Sequence, residues 1–145
     1  MQHNMKFLNF VLTKVSFILN RAFKPEETKE VRIEPEFGIS NEIKKEEKQL
    51  VVLLGVRQLK GDLPYYFEVE SAALFQFDEL PEEKILKQFS VINCPAIMFP
   101  YIRETIADLT RRAGFQPLHL NPVNFIQLAK EREERLKQVA SAPSI

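Results

Sequence analysis

Few side chains in this sequence carry nucleophilic or acid–base chemistry: His3, His119, the single cysteine Cys94, and the glutamates Glu68 and Glu70 two residues apart. A histidine works as a general base when a nucleophile stands within hydrogen-bond reach. Neither histidine has one beside it in sequence, so both read as structural or exposed. Cys94 precedes a proline inside an apolar run and reads as a small packing residue. Glu68 and Glu70 fall on one face of a strand, the ordinary look of a solvated sheet face. Gly38, Gly55, Gly61 and Gly114 build no phosphate-cradling loop, and no H-x-x-x-H or C-x-x-C spacing occurs. The expectation is a chain with no catalytic site, metal or cofactor.

The charge balance points the same way. Lys and Arg total 20 and Asp and Glu total 20 in 145 residues, so no net field exists to hold a nucleic-acid backbone or an anionic membrane. One domain over residues 1–145 is expected, burying roughly 68% of its unfolded surface. A lone cysteine fits a reducing compartment, and a cytoplasmic location is expected. The opening stretch "MKFLNFVLTKVSFIL" is interrupted by Lys14 and is far short of the ~20 residues that span a bilayer. It reads as a strand, with no export signal and no membrane insertion.

The elements that position the remaining side chains change period halfway. Residues 7–19 are apolar and β-branched, and "NRAFKPEETK" connects them to "VRIEPEFGIS", whose strict alternation predicts a second strand with Pro35 at an edge or bulge. After the charged "NEIKKEEKQ", "LVVLLGVRQL" predicts a buried strand and "KGDLP" a hairpin turn. "YYFEVESAALFQF" then sets Tyr65, Phe67, Val69, Ser71, Ala73, Phe75 and Phe77 on one face, with Tyr66, Glu68, Glu70, Ala72, Leu74 and Gln76 toward water.

From Pro81 the period is helical. A residue before proline avoids the α region, so a first helix is expected to stop at Asn93 and Cys94 and a second to begin at Pro95. Pro100 should bend that second helix, Gly114 should end it, and a third helix is expected from Pro122 or Val123 to Ala140. Its "KEREERLK" reads as a solvated, internally paired stretch, and residues 141–145 as a flexible tail. The fold class is therefore α+β: a four-stranded antiparallel sheet, with strands within about residues 7–77, then helices on one face within about 81–140. Strands one and three look apolar on both faces, more than three modest helices cover. Either the chain oligomerises or it exposes an apolar patch for a partner.

The stretch "NCPAIMFPYIRETI", followed by "GFQPLHLNPVNF", resembles the signature region of the SecB family of export chaperones, where C-P, F-P-Y-x-R-E and L-x-P-V-N-F recur in this order. The resemblance is strong from Cys94 to Phe125; in the strand half "YYFEVESAALF" matches best. It implies a homotetramer, a dimer of dimers with helices layered between two sheets. It also implies an ATP-independent holdase that keeps unfolded polypeptides soluble in hydrophobic grooves and serves protein export through the Sec pathway. The client groove it implies comprises Val31, Ile33, Phe99, Tyr101, Phe125 and Leu128. Phe67, Val69 and Ser71 are implied at the oligomer interface, and Tyr66 and Glu68 at a docking site for the Sec translocation ATPase.

This sequence departs from the family at several of these places. Lys14 and Ile18 stand near the family's first-strand acids, Ala129 replaces a groove aromatic, and Ser71, Ala72 and Ala73 replace a polar residue and two glycines. There is no tryptophan and no acidic tail. Divergent SecB-like proteins also serve the antitoxin of a toxin–antitoxin system, which is the alternative client to preproteins. An oligomeric adaptor that binds one folded partner is the non-chaperone alternative.

Overall fold

Four antiparallel strands form one sheet in the order β1-β4-β3-β2 in the computed structural model, which describes residues 4–25 and 31–141. The strands are β1 (Met5–Leu19), β2 (Glu36–Lys44), β3 (Gln49–Gln58) and β4 (Tyr65–Phe77). His3, part of the first connection and the tail beyond Ser141 lie outside the described residues. The α+β architecture expected from the sequence is the one observed.

β4 carries the alternation it promised. Tyr65, Phe67, Val69, Ser71, Ala73, Phe75 and Phe77 are all buried, facing Leu50, Val52, Leu54 and Val56 of β3 in the same core. The hydroxyl of Ser71 donates to the Leu54 carbonyl at 2.9 Å, which satisfies that buried polar group.

β1 is less apolar on both faces than its sequence suggests. Its register against β4 slips twice, between Phe7 and Asn9 and between Leu12 and Lys14. Each bulge inserts one residue and resets the alternation. Met5, Phe7, Phe10, Leu12, Val15, Phe17 and Leu19 all pair with inward-facing residues of β4, so they share one face. Lys6, Asn9, Val11, Lys14, Ser16 and Ile18 take the other.

β2 corrects the expected second strand. It begins only after Pro35 and runs on through "NEIK", which had read as a loop. Val31 and Ile33 therefore precede the strand, Val31 exposed and Ile33 packed at the core's margin. Pro35 lacks the N–H a ladder needs, so pairing starts at Glu36 opposite Arg57.

The helical half also departs from expectation. The helical path does not break before Pro95: a π turn over Phe89–Asn93 joins α1 (Glu83–Gln88) directly to α2 (Cys94–Arg112). Asn93 and Cys94 both keep right-handed helical angles, and the Cys94 N–H reaches back to the Phe89 carbonyl. The wider turn removes the crowding that Pro95 would impose on an α-helical carbonyl four residues back. α2 continues through Pro100 and stops at Gly114, whose φ of +91° suits glycine. By length and composition alone, the 30 residues Glu83–Arg112 could cross a membrane. Here Leu86, Cys94, Met98, Ile102 and Ile106 are buried in the core against the sheet.

α3 (Phe125–Ser141) starts later than expected, because Asn124 caps it: its Oδ1 accepts the Gln127 N–H at 3.1 Å. The preceding loop is pinned to α2. Arg103 Nε donates to the Leu120 carbonyl at 2.7 Å, and the Leu118 N–H donates to the buried Thr110 hydroxyl at 2.9 Å.

Cys94 sits in this core with its sulfur 3.9 Å from that of Met5. Burial pushes its thiol up to about 12, so almost no thiolate exists near neutral pH. Cys94 is expected to resist a soluble thiol reagent at pH 8 until the chain is unfolded. Stoichiometric labelling of the native protein within minutes would contradict its packing role.

Candidate functional site

The residues expected to form one groove divide between two places. Phe99 and Phe125 are buried and meet Phe37 of β2, with ring centroids 6.1 Å apart for Phe37–Phe99, 6.4 Å for Phe37–Phe125 and 6.0 Å for Phe99–Phe125. This aromatic triad is the floor beneath the start of α3. Beside it a cavity of about 590 Å³ opens between residues 35–37 and α3, lined by Phe37, Leu128, Arg132, Arg135, Leu136 and Val139 among others. Phe37 was missed as a groove residue, although its place in the alternating "IEPEFGI" already marked it as inward-facing.

Tyr101 belongs elsewhere. Its ring lies over β1, 6.0 Å from the ring of Phe7 and 4.9 Å from that of Phe10. The helices pack chiefly on β3 and β4, so the inner face of β1 stays largely uncovered. Leu12 is 42% exposed, Val15 47%, Leu19 46% and Tyr101 50%. Phe7 and Phe10, three apart in sequence, reach Tyr101 together only because the bulge at Leu8 lies between them. Strict alternation would have put them on opposite faces.

The implied interface residues lie away from the sheet's edges. β4 is an inner strand, and Phe67, Val69 and Ser71 are wholly buried in the chain's own core. Their side chains are covered within the single chain. The unpaired strand edges belong to β1 and β2.

Tyr66 and Glu68, which the resemblance implies for docking, lie on the outer face of the sheet. The Tyr66 hydroxyl donates to the Gly61 carbonyl at 2.7 Å and accepts from Asn20 Nδ2 at 3.3 Å. Glu68 is buried between two cations. Lys14 contacts one carboxylate oxygen, and Arg57, itself 3.1 Å from Glu36, lies 3.9 Å from the other. The carboxylate's hydrogen bond and charge raise the Lys14 ammonium above its ordinary value. Glu68 is thus matched within the chain and offers little free negative charge. His119 is exposed, and among the described residues no three His, Cys, Asp or Glu side chains gather as a metal site.

Residues 4–136 match the family described as Preprotein translocase subunit SecB. Among curated relatives, the Protein-export protein SecB of Acidithiobacillus ferrooxidans is 40% identical over 86 residues, covering 59% of this chain and 57% of that protein. That of Burkholderia vietnamiensis is 39% identical over 85 residues, covering 59% and 53%. The matches thus span little more than half the length of these curated relatives.

Two solved structures share the fold. A Mycobacterium tuberculosis SecB-like chaperone in complex with an antitoxin peptide superposes with a TM-score of 0.68 at 23% identity, covering 82% of this chain and 89% of that one. A protein of unknown function from Streptococcus agalactiae gives 0.55 at 12% identity, covering 83% and 99%.

Proposed function

This chain belongs to the SecB family, and from that premise we propose that it is an ATP-independent holdase of the cytoplasm, keeping unfolded polypeptides soluble by covering their apolar segments. The observation that carries this reading is the apolar corner where Tyr101, 50% exposed, lies over Phe7 and Phe10 of β1. Apolar contact is non-directional and supports loose sequence preference. No side chain described above is arranged for bond-making chemistry.

The neighbouring edge of β1 supports assembly as a homotetramer. β1 is an edge strand of 15 residues whose backbone is free along one side. Pairing with a second copy would satisfy that edge and cover Leu12, Val15 and Leu19 together. The clients then have two surfaces: the Phe7, Phe10 and Tyr101 corner, and the cavity beside Phe37 and Leu128.

Preprotein service and antitoxin service are both compatible with this holding activity. The pairing of Glu68 with Lys14 and Arg57 favours the second, because it occupies the carboxylate implied for docking to a basic site on the Sec translocation ATPase and leaves Glu70 as the exposed acid of β4. The adaptor alternative requires a folded partner instead.

Gel filtration with light scattering, in the absence of nucleotide, tests the proposal. The chain alone should run at about four times 16.9 kDa and should carry a denatured reporter with it while excluding the same reporter when folded. A monodisperse monomer would sink the tetramer, and co-elution with the folded reporter alone would favour the adaptor. Tyr101→Ala is expected to weaken client retention about tenfold while leaving the oligomer intact, since the residue sits on α2, off the free edge of β1. Dissociation on this change would move Tyr101 from client contact to subunit contact.

A further inference from the structure

One stripe of α3 combines residue types that the rest of the helix separates. Leu128, Arg132, Arg135, Leu136 and Val139, at spacings of four, three, one and three, all line the cavity beside β2. Leu136 is 71% exposed and Val139 74%, so the apolar part of the stripe is unpartnered within the chain. Among the ion pairs of the described residues, neither arginine has a carboxylate within reach. Arg132 makes one long contact, 3.4 Å from Nη2 to the Ile39 carbonyl on β2. The carboxylate that lines the cavity, Glu36, is held by Arg57 through bonds of 3.2 Å from Nε and 3.1 Å from Nη2. The wall is therefore apolar with two unmatched guanidinium groups in its middle.

An edge strand lies along the other wall. β2 pairs only with β3, leaving its outer backbone groups open to an added strand. We infer that this groove selects extended polypeptide segments in which apolar residues are followed closely by an aspartate or glutamate. The apolar side chains would lie on Phe37, Leu128 and Leu136, and the acid would meet Arg132 and Arg135, whose forked donors match a carboxylate. This rests on the holdase reading and names the segment class that its second surface prefers. Neutral apolar segments bind through the same walls, but without the ionic part.

Fluorescence anisotropy with three labelled peptides that share one apolar core tests it, the flanks being Asp/Glu, Ser/Gly or Lys. The acid-flanked peptide should bind about threefold tighter than the neutral one, and the lysine-flanked peptide more weakly than either. The difference should vanish near 1 M salt, where the screening length falls to about 3 Å. Arg132→Gln with Arg135→Gln should bring the three peptides level, and Arg132→Glu with Arg135→Glu should reverse their order, with helical circular dichroism unchanged in both. Binding without preference, a preference for lysine, or an acid preference that survives both double variants overturns the inference and leaves the holdase reading standing. Failure of all three peptides to bind overturns both.

Discussion

Phe99→Ala is expected to be among the most damaging single substitutions, lowering stability by about 3–5 kcal/mol. Phe99 is 6% exposed and touches two other rings, Phe37 from the sheet and Phe125 from the start of α3. Truncation removes the side chain's transfer energy and leaves a hole that three different elements would have to close. Offset and edge-to-face ring contacts add about 0.5–1.5 kcal/mol each beyond area. For a chain of this length the midpoint of thermal unfolding should fall by roughly 10 °C. The comparison needs equal protein concentration, because self-association raises apparent stability. A loss below about 1 kcal/mol would mean that the triad is a surface cluster and not the link between sheet and α3.

The second large effect is expected from Leu12→Asp combined with Val15→Asp. Both residues are nearly half exposed in the single chain and lie on the inner face of the β1 edge. In the monomer two carboxylates there cost little, because they remain in water. In an assembly that pairs β1 with a second copy they would be buried without partners, a penalty of several kcal/mol per charge. The oligomer should therefore dissociate while the circular dichroism of the chain persists. An unchanged mass in light scattering would remove β1 from the subunit interface; loss of the folded signal would mean that these positions are core.

The parts of the fold that were legible follow from simple periods. β4 alternates without interruption over 13 residues, and all seven inward positions are buried. β1 was legible as a strand but not as a face, because two bulges shift which of its residues share the inner side. The start of β2 was misplaced for a related reason: the alternation from Val31 to Pro35 is real but unpaired, and pairing begins after the proline. At Asn93 and Cys94 the rule for residues preceding proline is overridden, because Cys94 keeps helical angles and the π turn before it lets the helix continue into Pro95.

The site shows the same division. Phe99, Phe125 and Leu128 were implied by the family resemblance and lie near Phe37. Tyr101 was marked by the same motif and faces β1, a placement set by the helix axis and invisible in the motif itself. Arg132 and Arg135 were read as part of a solvated charged run. Their spacing from Leu128 and Leu136 was the signal that set them on the groove stripe. Glu68 was taken as an available acid because its partner Lys14 lies on another strand, and cross-strand pairing was not deducible once bulges had shifted the register.

The central claim, that this chain holds unfolded polypeptides without nucleotide, is tested most directly by light scattering from a reporter that aggregates on dilution from denaturant. With no ATP present, the protein at one tetramer per reporter is expected to suppress nearly all of the scattering, and the reporter should stay unfolded until released. Scattering that rises unchanged at that ratio, with the protein folded and tetrameric in the same buffer, would contradict the account.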